Sequence, residues 1–270
     1  MPGGDVSGTT HGENGRSTTM SDTARRTTRE HWPVVELRQY TLHPGARETL
    51  VDLFDREFVE TQEDVGMRVV GQFRDEEDPD RFVWVRAFAG MEARAAALTA
   101  FYLRGAAWAA HRAAANATMV DSSDVLLLRP VSRGSGFPLP ETRPPVGTAR
   151  VPASRLTATI CRCDRPVDDD FVAFFLERVR PVLAEAGIVP VAWFETEPAE
   201  NTFPRLPVRE GEHVFVWFAA FPDAERRRSA EERLARCGRW NAQVLPALRE
   251  RLAAPVERLL LAPTARSLLR

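Results

Sequence analysis

The chain has 270 residues, with 36 basic against 38 acidic side chains and an apolar share of 44%, enough to bury a large core in one domain or two. So even a balance excludes a charge-driven binder of nucleic acid or anionic membrane, and no run approaches the roughly eighteen apolar residues of a membrane span. Every basic side chain is arginine, a bias that with abundant alanine points to a GC-rich coding sequence, so the cluster Arg226, Arg227 and Arg228 reads as a solvated helix face.

Residues 1–31 are rich in Gly, Ser, Thr and Arg, lack hydrophobic periodicity and carry no apolar signal core, so a disordered tail is expected. Met20 is a second candidate start, and Asp5, Glu13, Asp22 and Glu30 argue against a mitochondrial presequence. The stretch VVELRQYTL reads as a strand with Val35, Leu37 and Gln39 on one face and Glu36, Arg38 and Tyr40 on the other. After the turn His43-Pro44-Gly45, a helix over about 46–64 places Leu50, Leu53, Phe54 and Phe58 on one side and stops before Gly66. MRVVGQFR returns as a strand in which Val69, Gly71 and Phe73 alternate against Val70, Gln72 and Arg74. The acidic run from Asp75 to Asp80 lacks the EF-hand spacing and reads as a hairpin turn.

The strand FVWVRAF sends Val83, Val85 and Ala87 to an aliphatic face and Phe82, Trp84, Arg86 and Phe88 to the other. Aromatics mixed with a guanidinium suit a cavity wall better than a dry core, because a buried charge needs a partner or water; the bland alternative is an arginine that snorkels outward. A helix or broken helix pair follows, in which Trp108, His111 or Arg112, Ala115 and Met119 fall on one stripe. DVLLLRP closes the unit. Strand, helix, strand, strand, helix, strand is the split βαβ order of a ferredoxin-like sandwich.

Residues 131–154 hold Pro138, Pro140, Pro144, Pro145 and Pro152 and read as a linker that extends rather than packs. The pattern then repeats: LTATIC answers the first strand, GIVPVAWF answers GMRVVGQF, EHVFVWFAAF answers DRFVWVRAF, and ERLLLAP answers DVLLLRP. Trp84 to Trp217, Trp108 to Trp240 and Pro130 to Pro263 are separated by nearly one interval. The expected fold class is α+β, two tandem ferredoxin-like (dimeric α/β-barrel) domains with antiparallel sheets and helices on the outer faces. The expected bounds are a tail over 1–31, a first domain over 32–130, the linker 131–154 and a second domain over 155–264. The two sheets would cover each other face to face, leaving a pocket between them or under the helices.

Candidate catalytic residues are His111, for its titration near neutral pH, with Glu36 as a proton carrier, Arg86 to stabilise an enolate or carboxylate, and Tyr40 to orient a substrate. Candidate substrate-binding residues are Arg38, Gln72, Arg74, Trp84, Trp108 and Asn116. The second copy offers mostly Thr157, Thr159, Trp193, Glu195, Trp217 and Ala219, with Gln243 in place of His111, so any chemistry leans on the first copy. Cys161, Cys163 and Cys237 make neither a disulfide framework nor a zinc spacing, which fits a reducing cytoplasm. Phosphate loops, nucleophile elbows and paired metal ligands are missing, so no nucleotide, metal or flavin is expected; haem on His111 is an alternative without a spacing signature.

With these residues in place, the chain resembles the NIPSNAP family. The resemblance rests on ELRQYTLHPG, VGQFRDEEDPDRFVWVRAF, MEARAAALTAFY, the pattern W-x-x-H-R-x-x-x-N-x-T-M over Trp108 to Met119, and DVLLLRP. It implies the tandem dimeric α/β-barrel fold and a soluble protein with a ligand-sized cavity, and supplies no catalytic set. The expected function is a small-molecule-pocket protein, a cofactor-independent enzyme of cyclase, isomerase or monooxygenase type in bacterial specialised metabolism. The alternative is a non-catalytic ligand-binding or scaffolding protein. The expected partner is a small-molecule ligand or substrate, with no nucleic acid and no membrane, and a homodimer stays open.

Overall fold

The computed structural model describes residues 32–270 and the backbone of Thr27–Thr28. The rest of the expected disordered tail lies outside the described residues. Eight strands form one closed antiparallel barrel: β1 Val34–Leu42, β2 Arg68–Asp75, β3 Arg81–Phe88, β4 Met119–Pro130, β5 Arg155–Cys163, β6 Pro190–Thr196, β7 His213–Phe221 and β8 Glu257–Pro263. Around the barrel the order is β8-β2-β3-β1-β4-β6-β7-β5, with β5 paired back to β8. The first half thus contributes β2-β3-β1-β4 and the second β6-β7-β5-β8, the same order in each. Two seams join them, β2 with β8 through Asp75↔Leu261 and β4 with β6 through Arg129↔Glu195. Closure removes every exposed strand edge from the barrel.

The helices lie outside. Helix α1 (47–63) and helix α4 (169–185) each contain a π-helical turn, Phe54–Phe58 and Phe175–Val179. Pro181 follows the turn in α4, but α1 has the same turn without a proline, so the wider turn recurs in both halves independently of it. Helix α2 begins at Met91–Leu98 and ends in a π-helical stretch, Thr99–Arg104; α3 is Ala106–Asn116; α5 is Ala224–Ala235; α6 spans 240–249.

Alternation along the strands divides the apolar side chains. One core draws on all eight strands, with Val35, Leu37, Val85, Leu128, Ile160, Phe194, Phe218 and Leu261 among its members. Two others lie between the barrel wall and the helices, one in each half. Phe137 and Leu139, from the segment expected only to span, are buried in the barrel core with Leu268 and Leu269. That segment is also pinned outside, where Arg143 donates to Arg266 O at 2.7 Å and to Glu63 at 2.8 Å. Its prolines shape the path, and its two large apolar side chains still follow the gain from burial. The barrel interior is therefore filled, and of the two expected pocket positions only the space under the helices remains. Arg227 also departs from the solvated-face reading: it is buried and pairs with Glu231 at 2.8 Å and with Glu76 across the seam at 3.5 Å.

In β2 the register shifts between Val69 and Gly71. The bulge resets the alternation, so Val69 joins the helix-side core while Val70 and Phe73 both join the barrel core. A Cβ on Gly71 would collide with the Phe73 ring and lie 2.8 Å from Ser267 Oγ. Gly71→Ala should therefore cost about 1–3 kcal/mol; an unchanged thermal midpoint by calorimetry would show that the bulge has slack.

Candidate functional site

The site is built on the helix-facing side of β1 and β3, which pair Glu36↔Arg86 and Arg38↔Trp84. Glu36, Arg38 and Arg86 are completely buried. Glu36 accepts from Arg38 at 2.6 Å and from Arg86 Nε at 2.7 Å on one oxygen, and from Arg94 Nε at 2.6 Å on the other. Burial alone would push this carboxyl up, but the charges of Arg86, Arg38 and Arg94 outweigh it and hold Glu36 well below the usual carboxylate range.

The remaining partners of the three guanidinium groups are neutral. Arg38 Nε donates to the Tyr40 hydroxyl at 2.9 Å; Arg86 donates to Tyr102 at 3.2 Å and to Gln62 at 3.3 Å; Arg94 donates to Asn201 at 3.0 Å and Thr202 at 3.2 Å. The cluster thus buries two more positive charges than negative. Among the described residues no acceptor reaches the outer NH2 nitrogen of Arg38, Arg86 or Arg94, or Trp84 Nε1. Arg38 and Arg86 both lie over the Trp84 ring, at 5.5 and 5.0 Å, where the negative face of the π-system favours a cation.

Beside this cluster is a cavity of about 90 Å³, walled by Tyr40, Phe54, Phe58, Trp84, Phe101, Tyr102 and Trp108 and edged by Asn116, Met119 and Ser122. The π-helical turn of α1 sends Phe54 and Phe58 into the same wall, edge to face at 6.0 Å. Leu206 closes one side and Phe203 packs against Tyr102 at 6.3 Å, both from the loop between β6 and β7. The second half thus roofs the first half's cavity. A larger space of about 620 Å³ lies among the prolines of 140–152 and Arg270, away from these groups, and another of about 400 Å³ beside the loop 195–213 is edged by glutamates. Among the described residues, no group of three or more His, Cys, Asp or Glu side chains is placed to hold a metal ion.

The structure brings together Glu36, Tyr40, Arg38, Arg86, Trp84 and Trp108, with Asn116 exposed at the cavity edge. His111 stands apart and does not line the cavity: its ring centroid lies 6.3 Å from that of Phe58, its Nε2 is 3.5 Å from Glu57, and its side chain is 36% exposed. Arg74 lies on the same strand face but turns to α1, where Glu48 holds it at 2.7 and 2.5 Å. Gln72, paired with Trp84 in register, is buried and does not line the cavity. Sequence reading missed Arg94, Tyr102, Gln62 and the loop residues Asn201 and Thr202. A signal for Arg94 existed, since Met91, Arg94, Leu98 and Phe101 share a helical stripe and Arg94 is its one charge.

The corresponding register in the second half carries no such cluster. There Thr157 pairs with Ala219 and Thr159 with Trp217, as Glu36 does with Arg86 and Arg38 with Trp84. A cavity of about 130 Å³ remains, lined by Thr157, Thr159, Trp217 and Trp240.

Residues 35–133 match the NIPSNAP family model. No curated protein matches the sequence. Among solved structures, an anthrone oxidase-like protein is similar at 12% identity and a TM-score of 0.54, covering 87% of this chain and 93% of that one. A dye-decolorizing peroxidase from Bacteroides thetaiotaomicron is similar at 12% identity and a TM-score of 0.50, over 89% and 96% of the two chains. A NIPSNAP family protein from Agrobacterium tumefaciens matches at 18% identity and a TM-score of 0.34, covering 43% of this chain and 99% of that one. At these identities the likeness to the first two is one of fold alone.

Removing one partner from a buried ion cluster leaves uncompensated charge, so Glu36→Gln should cost about 3–5 kcal/mol, whereas Arg74→Ala at its half-exposed pair should cost no more than about 1 kcal/mol. Because the folded state holds Glu36 below its ordinary value of 4.5, its contribution is present above that pH and is lost as pH falls through the folded value. Acid titration of stability should therefore be flatter in Glu36→Gln; parallel acid limbs would count against the assignment.

Proposed function

We propose that the first half of the chain, whose residues 35–133 match the NIPSNAP family model, binds a small, ring-bearing molecule in the aromatic cavity and acts on it without a bound cofactor. The carrying observation is the contact of two unlike environments: an aromatic wall formed by Tyr40, Trp84, Tyr102 and Trp108, and directly behind it a buried, positively charged cluster. The wall supplies dispersion and ring stacking. The cluster supplies a fixed positive field where negative charge develops on a substrate, and a water-poor site makes that field worth far more than it would be in solvent.

The reaction class this supports is proton movement at, or oxygenation of, an electron-rich ring, as a cyclase, isomerase or monooxygenase of bacterial specialised metabolism, in the cytoplasm. Arg86 and Arg38 act through the tyrosine hydroxyls, and Trp84 and Trp108 hold the ring. Glu36 orients the arginines, because a carboxyl held so acidic is a weak base. His111 acts only if the Phe58 wall moves. The domain reading is two tandem ferredoxin-like units, 32–130 and 155–264, sharing one barrel across the segment 131–154. A non-catalytic binding protein is the second reading, favoured by His111 standing outside the cavity.

Extracts of source cells with and without the gene are to be compared, and a compound that accumulates without it offered to purified protein. Turnover supports the enzyme, saturable binding without turnover supports the second reading, and neither one sinks the pocket. Trp108→Ala should weaken that ligand by about 0.5–1.5 kcal/mol, read by titration of tryptophan fluorescence; an unchanged affinity would place the ligand elsewhere.

A further inference from the structure

The cavity wall has a donor pattern that its aromatic character hides. Arg38 Nε donates to the Tyr40 oxygen and Arg86 donates to the Tyr102 oxygen. A hydroxyl that accepts from a guanidinium keeps its own proton for another acceptor, and among the described residues neither hydroxyl donates to a protein group. Both side chains line the same cavity. They also interact electrostatically, since charge on Tyr40 would push Tyr102 up. Burial pushes the Tyr102 hydroxyl up as well, against the pull of Arg86, which keeps it an O–H donor at neutral pH. Trp84, in the same wall and 1% exposed, adds an indole N–H without a protein acceptor among the described residues. Buried donors of this kind are normally satisfied. Tyr40, Tyr102 and Trp84 all line one small space, and behind it two buried positive charges have no carboxylate; together these call for one kind of occupant.

Resting on the pocket reading above, we propose that Tyr40, Tyr102 and Trp84 form a donor set for an anionic oxygen, and that the ligand is a ring-bearing phenolate, enolate or carboxylate rather than a neutral aromatic. Arg38 and Arg86 are positioning residues that polarise the tyrosine hydroxyls, while the tyrosines touch the ligand. Gln62 adds no donor, because its amide nitrogen is already bonded to Phe58 O at 2.8 Å.

The test uses the full chain and two probes of similar shape: 4-nitrophenol, whose phenolate is read by its visible absorbance, and nitrobenzene, which lacks the anionic oxygen. Titrated with protein across neutral pH, bound 4-nitrophenol should show an apparent pKa lowered by about one unit or more, the phenolate binding at least about tenfold tighter than the phenol. Tyr40→Phe and Tyr102→Phe, which keep the rings, should each reduce that preference and move the apparent pKa of bound 4-nitrophenol back toward its free value. An unshifted or raised pKa, with nitrobenzene bound as well as 4-nitrophenol, overturns the anionic-ligand inference and leaves the pocket standing. Failure of both probes to bind overturns both. Should either tyrosine variant not fold, the wild-type pKa comparison alone still decides.

Discussion

The carboxylate of Glu36 fixes the rest of the first half. Placed without water on β1, it is tolerable only if both oxygens are satisfied by charged donors, and those donors come from three separate elements. Arg38 comes from the same strand, Arg86 from β3 and Arg94 from the first turns of α2. The third contact ties the height and rotation of α2 over the sheet to one side chain, and α2 carries Phe101 and Tyr102 into the cavity wall. Arg94 in turn holds Asn201 and Thr202, so the roofing loop is anchored to the same centre.

Closure of the barrel decides where a ligand can go. Eight strands leave an interior just wide enough for side chains to fill, and here it is filled, in part by Phe137 and Leu139 from the connecting segment and by Leu268 and Leu269 near the chain's end. The inter-sheet space that a pair of open sandwiches would offer is thereby closed. What remains lies between each half's outer wall and its helices; in the first half the π-helical turn of α1 brings Phe54 and Phe58 to one face. Pro-rich composition concealed this role of 131–154, because prolines set a path without saying what the residues between them bury.

The strands, the helices and their order were legible because periods of two and of 3.6 are local properties, and the repeat was legible from tryptophans and prolines at a common interval. The face carrying Glu36, Arg38, Tyr40, Trp84 and Arg86 was legible for the same reason. What pairs with what was not. His111 shares a stripe with Trp108 and Ala115, yet the stripe's edge meets Glu57 and solvent, and no local pattern distinguishes the edge of a buried stripe from its centre. Arg74 follows the right alternation and is drawn off by Glu48 from a neighbouring helix. Arg94 and Asn201 belong to the site only through contacts that span 58 and 107 residues; such contacts depend on the closed barrel.

The two halves act as an internal control on the meaning of the cluster. The second half reaches the same strand order and encloses a comparable cavity with Thr157, Thr159 and Ala219 in the register where the first has Glu36, Arg38 and Arg86. Its Arg227 sits as deep into α5 as Arg94 does into α2, and it turns instead to Glu231 and Glu76. Small, neutral side chains at the wall are thus sufficient for this architecture. Buried ions cost several kcal/mol each in desolvation, and well-packed apolar replacements often stabilise a protein. A structural account of the cluster must therefore explain why one half bears that cost and the other does not. An account through the cavity needs no such asymmetry in folding: the second cavity is edged by the paired charges of Glu231 and Arg258, whereas the first has an excess of buried positive charge behind its wall, and that is the one the opposite half covers with Phe203 and Leu206.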